Sequence, residues 1–235
     1  MKKIFLLLVS ICLLMCGCGS YEEKDAVKDF KNLLDNNKSY YLEGNMSILS
    51  GEKNYKYDVK VSYMQGNFYK VNLLNNDNFH EQIILKNDEG VYVITPDLNK
   101  SFKFQSEWPD NGSQGYLIDS LVNDIKNDSE SNFEKLDNGY IISTKVNYPN
   151  NKDLVKQKIY FDKKLNPKKV EVMNKNGDVL IKMTFNKVNL NAKFKNKYFE
   201  LEENMEVAKN EENTKTVSKI EGDTYPMYIP ENTKL

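Results

Sequence analysis

From Tyr40 onward apolar and polar residues alternate with a period of two, and nothing else in the chain restricts its fold as strongly. Tyr57, Val59, Val61 and Tyr63 are separated by Asp58, Lys60 and Ser62, and after Gly66 the pattern resumes at Tyr69, Val71 and Leu73. Successive side chains of a strand point to opposite faces, so such runs bury one face and wet the other. Shorter apolar runs follow at Ile83 to Leu85, Val91 to Ile94 and Phe102 to Phe104, divided by Asn87-Asp88-Glu89-Gly90 and Pro96-Asp97-Leu98-Asn99. Strands are expected again at Asn132 to Leu136, Tyr140 to Tyr148, Val155 to Asp162, Lys168 to Met173 and Val179 to Leu190, with an Asn176-Gly177 hairpin turn before the last. About ten strands joined by tight turns make an antiparallel meander.

Two segments leave this period. Between Glu22 and Asn37, Ala26, Val27, Phe30, Leu33 and Leu34 fall on one helical stripe. Between Gln114 and Asn127, Leu117, Ile118, Leu121, Val122 and Ile125 keep helical spacing, with Asp119 and Asp124 between them; Trp108 to Gly112 reads as a loop. A one-sided sheet needs a cover, and these two helices are the candidates. The expected class is therefore α+β, mainly β: a curved antiparallel sheet covered by two or so helices. A mean hydropathy of −0.66 with 40% hydrophobic residues implies a thin core and a wide wetted surface.

The N-terminus sets the cellular address. Lys2 and Lys3 precede an apolar run from Ile4 to Met15 and then Cys16-Gly17-Cys18, which is the grammar of a secretory signal peptide. Gly17 before Cys18 matches a bacterial lipobox, so cleavage is expected between them, leaving a diacylated Cys18. A membrane span needs about 20 apolar residues, and this run is shorter. Two acyl chains suffice for stable anchoring. The expected organisation is signal peptide over 1–17, lipidated tether over 18–21, one folded domain over 22–201, and a polar segment over 202–235. Glu202 to Asp223 reads as mobile or solvent-laid, and it leads into the aromatic, proline-bearing Tyr225 to Pro230.

Chemistry is sparse. Cys12 and Cys16 leave with the signal peptide and Cys18 is acylated, so no thiol is left for a disulfide, metal or nucleophile. His80 stands alone, and no metal-ligand spacing, glycine-rich phosphate loop or nucleophile motif occurs. Neither catalysis nor a cofactor or metal is expected. Net charge of −1 gives no basic field for nucleic acid. The aromatic residues are good strand formers first; a ligand groove, if present, would draw on the concave apolar face bearing Tyr57, Val59, Val61 and Tyr63.

One run carries a specific resemblance. Ile159 to Val172, containing Asp162, Pro167 and alternating lysines and valines, then Asn176-Gly177-Asp178, then Met183 to Val188, resembles the strand, Asp, turn, Pro, strand, Asn-Gly, strand pattern of the sporulation-linked branch of the LolA/LolB-like superfamily. Tyr225 to Pro230 is similar to that branch as well. The resemblance implies a half-barrel sheet closing over helices. It also implies a non-catalytic lipoprotein on the outer face of the membrane, in the forespore intermembrane space, needed for germination. Its implied partner is an N-acetylmuramoyl-L-alanine amidase of the spore cortex, which it binds and activates. Lipoprotein carriers of the superfamily use a cavity arginine, and this chain contains none, so ferrying of lipids or lipoproteins is the alternative reading. Partner binding through a sheet edge, and a homodimer formed by strand exchange with Leu74 to Asn78 as hinge, are further expectations.

Overall fold

The computed structural model describes residues 25, 26, 28–30, 32 and 38–212. The described residues between 25 and 32 are helical (α1). Six strands follow: β1 (Ser39–Ser50), β2 (Lys53–Met64), β3 (Phe68–Asn75), β4 (Glu81–Asn87), β5 (Gly90–Thr95) and β6 (Lys100–Phe104), with a 3-10 turn at Pro96–Leu98. A helix, α2 (Ile118–Asn127), separates them from β7 (Asn132–Leu136), β8 (Gly139–Lys145), β9 (Leu154–Asp162), β10 (Pro167–Asn174) and β11 (Val179–Asn189), and α3 (Leu201–Glu212) ends the described chain. All eleven strands join one sheet in the order β6-β5-β4-β3-β2-β1-β11-β10-β9-β8-β7. Each meander is local, and the two are stitched where β1 pairs antiparallel with β11, Leu42 opposite Val188 and Ile48 opposite Ile181. The edges, β6 and β7, remain apart, so the sheet is an open half-barrel.

The curl has a local cause at the seam. The register of β1 against β11 slips between Glu43 and Gly44, and a bulge of this kind bends and twists its strand. Gly44 is required there because a Cβ would press into the Thr184 carbonyl and the Met183 side chain. Turns are closed by side chains as well as by glycine. Asn174 Oδ1 accepts the amides of Asn176 and Asp178, both at 2.9 Å, and Gly177 takes a positive φ of 88°. Asp162 Oδ1 likewise accepts from Lys164 and Asn166, and Pro167 opens β10, where a strand tolerates a missing N–H.

Both predicted helices lie in the main core. Ala26 and Phe30 of α1 are buried, with Phe30 edge-on to Phe161 of β9 at 4.6 Å. Ile118, Leu121, Val122 and Ile125 of α2 join the same cluster, together with Leu42, Val59, Val71, Val170 and Met183 from the inner face of the sheet. Residues from both halves of the sheet thus meet one pair of helices, which is how a single curved layer makes a core.

Three expectations need correction. Helix α2 starts at Ile118, not Gln114, because residues 114–117 form a separate turn in which Leu117 N donates to Gln114 O at 3.0 Å and Gln114 N to Ser120 Oγ at 2.7 Å. The outer face of the sheet is not wetted throughout. Ile83, Leu85, Tyr92 and Ile94 form a second cluster on that side with Phe199, and Phe194, Tyr198, Leu201 and Met205 pack against it. The solvent-laid reading of the segment from Glu202 consequently fails for its described part: residues 202–212 belong to α3, and Asn204 is buried, donating to the carbonyls of Tyr198 and Glu200 at 3.1 and 2.7 Å. The remainder of that segment and Tyr225 to Pro230 lie outside the described residues.

Candidate binding site on the concave face

The concave face of the sheet is not filled completely. A cavity of about 260 Å³ lies over the inner side chains of the central strands, floored by Met46 and Ile48 of β1, Leu73 of β3, Val172 of β10, and Ile181 and Met183 of β11. Its rim comes from two loops, 111–116 before α2 and 148–151 between β8 and β9, and includes Ser113, Tyr116, Tyr148 and Asn151. An apolar floor with a few polar groups at the mouth is the usual build of a small-molecule pocket. No charged side chain lines it among the described residues.

The two rim loops are tied to each other and to α2. Ser113 N donates to the Asn147 carbonyl at 2.7 Å, and Asn147 N donates back to Ser113 Oγ at 2.8 Å. The same hydroxyl donates to Asp124 Oδ1 at 2.8 Å, while Gln157 Nε2 of β9 donates to Asp124 Oδ2 at 2.9 Å. Burial pushes the Asp124 carboxyl up to about 6, against the lowering effect of those two hydrogen bonds. Gln157 is fully buried and its Oε1 has no partner among the described residues. At the C-terminus of α2, Asp128 Oδ2 accepts from the Lys145 amide at 2.7 Å and from Thr144 Oγ1 at 3.1 Å, which fixes the helix to β8.

A second polar cluster sits toward β2 and β3. Tyr40 is buried and donates to Asp119 Oδ2 at 2.8 Å; Tyr69 reaches the same oxygen at 3.5 Å. Tyr63 stacks on Tyr40 and leans on Tyr69, with both ring centroids 4.9 Å away, and Tyr69 meets Trp108 edge-on at 5.6 Å. Burial raises the Asp119 carboxyl, and burial together with the adjacent Asp119 charge holds the Tyr40 phenol well above its ordinary range.

The alternation of β2 places Tyr57, Val59, Val61 and Tyr63 on the inner face, yet none of the four borders the cavity. Val59 and Val61 are core residues, 1% and 0% exposed, and Tyr63 is engaged in the aromatic cluster. The groove draws instead on β1, β3, β4, β9, β10 and β11 and on the two rim loops. Alternation reveals which side faces inward but not which inward stretch lacks a covering helix. Asp119 and Asp124, read as polar interruptions of a helical stripe, are the anchors of the two half-buried networks. His80 stands away from the cavity rim and pairs with Asp97, Nδ1 to Oδ2 at 2.6 Å. Among the described residues no group of three His, Cys, Asp or Glu side chains could hold a metal ion, and no helix is long and apolar enough to cross a membrane. Gly17 and Cys18 lie outside the described residues.

An open antiparallel half-barrel sheet folded over two helices, with an apolar cavity that no charged side chain lines among the described residues, defines the class of protein by fold. Within that class the chain belongs to the YdcC-like sporulation protein family, whose pattern matches residues 1–199. It is 35% identical over 242 residues to the sporulation protein YdcC of Bacillus subtilis (strain 168), covering 100% of this chain and 71% of that protein. In fold it is similar to an uncharacterized conserved protein of Thermus thermophilus, with a TM-score of 0.50 at 8% identity over 75% of this chain and 91% of that one. It is also similar to a chain in the structure of the CwlD amidase from Clostridioides difficile in complex with the GerS lipoprotein, with a TM-score of 0.42 at 15% identity over 77% of this chain and 100% of that one.

Proposed function

We propose that this sporulation-family chain is a membrane-anchored, non-catalytic lipoprotein that binds and activates a cortex-modifying N-acetylmuramoyl-L-alanine amidase during spore germination. The observation that carries the reading is membership of a sporulation family over nearly the whole described body. The run that resembles the germination lipoprotein GerS, Ile159 to Val188, spans part of β9 and all of β10 before reaching into β11, so the likeness falls on strands that help to floor the cavity and complete the seam. The cavity's lining, free of charged groups among the described residues, suits holding a ligand or a partner's apolar side chain better than acid–base chemistry. Co-elution of the purified body with the amidase of its own organism tests the reading. A stoichiometric complex is expected, and separate elution at micromolar concentration would contradict it.

The cavity itself favours one alternative, a LolA-like carrier or binder of lipids. Ligand pockets run from about 300 to 1,000 Å³, so a volume of about 260 Å³ fits one slender apolar chain better than a whole diacyl lipid. Native mass spectrometry of the body separates the readings, because a co-purified lipid adds a discrete mass and a partner protein leaves the monomer mass clean.

Anchoring is proposed to depend on Cys18. Cys18→Ala should abolish incorporation of a fatty-acid analogue and move most of the protein into the soluble fraction, since the acyl chains supply the membrane affinity. Equal labelling of both forms would contradict the lipobox.

A further inference from the structure

A bulky side chain is held out into solvent at the end of the sheet where the cavity lies. Phe79, in the loop between β3 and β4, is 66% exposed and takes a φ of 59°, a left-handed conformation that is costly for a residue of its size. The loop is built to keep it there. Phe79 N donates to the Asn75 carbonyl at 2.8 Å and Asn75 N to the His80 carbonyl at 2.9 Å, while Asn75 Oδ1 accepts the amides of Asp77 and Asn78 at 2.8 and 3.3 Å. His80 Nδ1 lies 2.6 Å from Asp97 Oδ2, which ties the loop to the 3-10 turn and its exposed Leu98. Strain and exposure maintained by so many bonds mark a side chain kept ready for a partner.

The cavity lies at the same end. Met46 of β1 is opposite Tyr57 of β2, and Tyr57 is opposite Asn75, so the loop begins level with the cavity floor and two strands away, about 10 Å across the sheet. Ile48 and Ile181, further toward that end, pair with each other in the floor. An apolar cavity of about 150 Å³ holds a benzene molecule, so a volume of about 260 Å³ has room for a phenyl ring. The rim offers the amides of Asn111, Gln114, Asn150 and Asn151 and the Ser113 hydroxyl, with no charge among the described residues. The loop that carries Phe79 is likewise rich in asparagine, at 75, 76 and 78, with Asp77 its one charged residue. An apolar centre ringed by polar groups is the build of a protein interface.

We propose that two copies of this chain meet end to end, each inserting Phe79 into the cavity of the other. The conformation that exposes Phe79 keeps it out of its own cavity, where it is not among the lining residues. Knob and cavity at the same end of one molecule allow both insertions about a single two-fold axis, so the assembly closes as a dimer instead of growing into a filament. No strand is exchanged, because β3 and β4 keep their own pairing in each copy.

Sedimentation velocity tests this on the full mature chain carrying Cys18→Ala, so that no acyl chain assists association, with Phe79→Ala and Asn151→Trp added separately; the tryptophan closes the cavity mouth. A dimer is expected at high micromolar concentration, and either added substitution should weaken it at least tenfold. An equimolar mixture of the two variants should associate more strongly than either alone, because only the mixture retains one intact knob and one open cavity; that rescue also shows both variants to be folded. A chain that stays monomeric, or a Phe79→Ala variant that dimerises as tightly as its parent, would overturn the proposal. A mixture no stronger than its components would overturn it too, since the ring would then be seated elsewhere on the second copy. So would a monomer whose capture of the amidase depends on Phe79, because the ring would then serve a different protein.

Discussion

Among single residues, the half-buried carboxylate of Asp124 is the most informative side chain described. Its raised value, about 6, means that folding favours the protonated acid. The stabilising contribution is complete below the unfolded value near 3.8 and is lost as pH rises through about 6. Asp124→Asn removes that dependence, and a 180° turn of the Gln157 amide would give the new Nδ2 the Oε1 acceptor that now lacks a partner. Relative to wild type, the variant should gain about 1–2 kcal/mol between roughly pH 4 and pH 7; urea midpoints at the two pH values measure it, and a pH-independent difference would contradict the burial. Gly44 makes the second case. Gly44→Ala should cost about 2–3 kcal/mol by forcing the β1–β11 bulge apart, whereas Gly51→Ala, with open space around it and only a positive φ of 59°, should cost about 1 kcal/mol. Denaturant titration of the pair checks both. Neither Asp124 nor Gly44 stands out in the sequence, because a close approach or a buried partner exists only after residues distant in the chain are paired.

Among the elements, α3 and the segment before it cover the outer face of β4 and β5. Phe199 is 5% exposed and lies at the centre of that cluster, meeting Phe68, Phe194 and Tyr198 at 5.9, 5.2 and 5.0 Å. Phe199→Ala should cost about 3–4 kcal/mol and uncover Ile83, Leu85, Tyr92 and Ile94, raising binding of a hydrophobic dye; full stability with unchanged dye binding would contradict the packing. Half of this was legible. Ile83-Ile84-Leu85 and Val91 to Ile94 lack the polar alternation of β2, which signals strands buried on both faces. The covering helix was not legible, because Leu201 and Met205, which pack on the cluster, sit in an acidic stretch whose composition suggests solvent. Conversely, the stripes of α1 and α2 and the turn at Asn176-Gly177 could be read directly, since helical spacing and hairpin chemistry are local properties of the chain.

For the molecule as a whole, a single sheet with two edges folds over its helices and leaves a small cavity that no charged side chain lines among the described residues. Sequence alternation and helical spacing were enough to foresee a one-sided antiparallel sheet and the two helices on its inner face, because one wet and one dry face leave few architectures. It could not locate the cavity, which depends on where two loops stop short of the strands beneath them. The proposed role is activation of a spore-cortex amidase by a lipoprotein that does not perform the hydrolysis itself. Release of stem peptides from purified peptidoglycan probes that role without intermediaries, measured for the amidase alone, for this protein alone and for the two together. The expected result is no release by this protein alone and at least a tenfold gain in the mixture; an unchanged amidase rate, or release by this protein on its own, would contradict it.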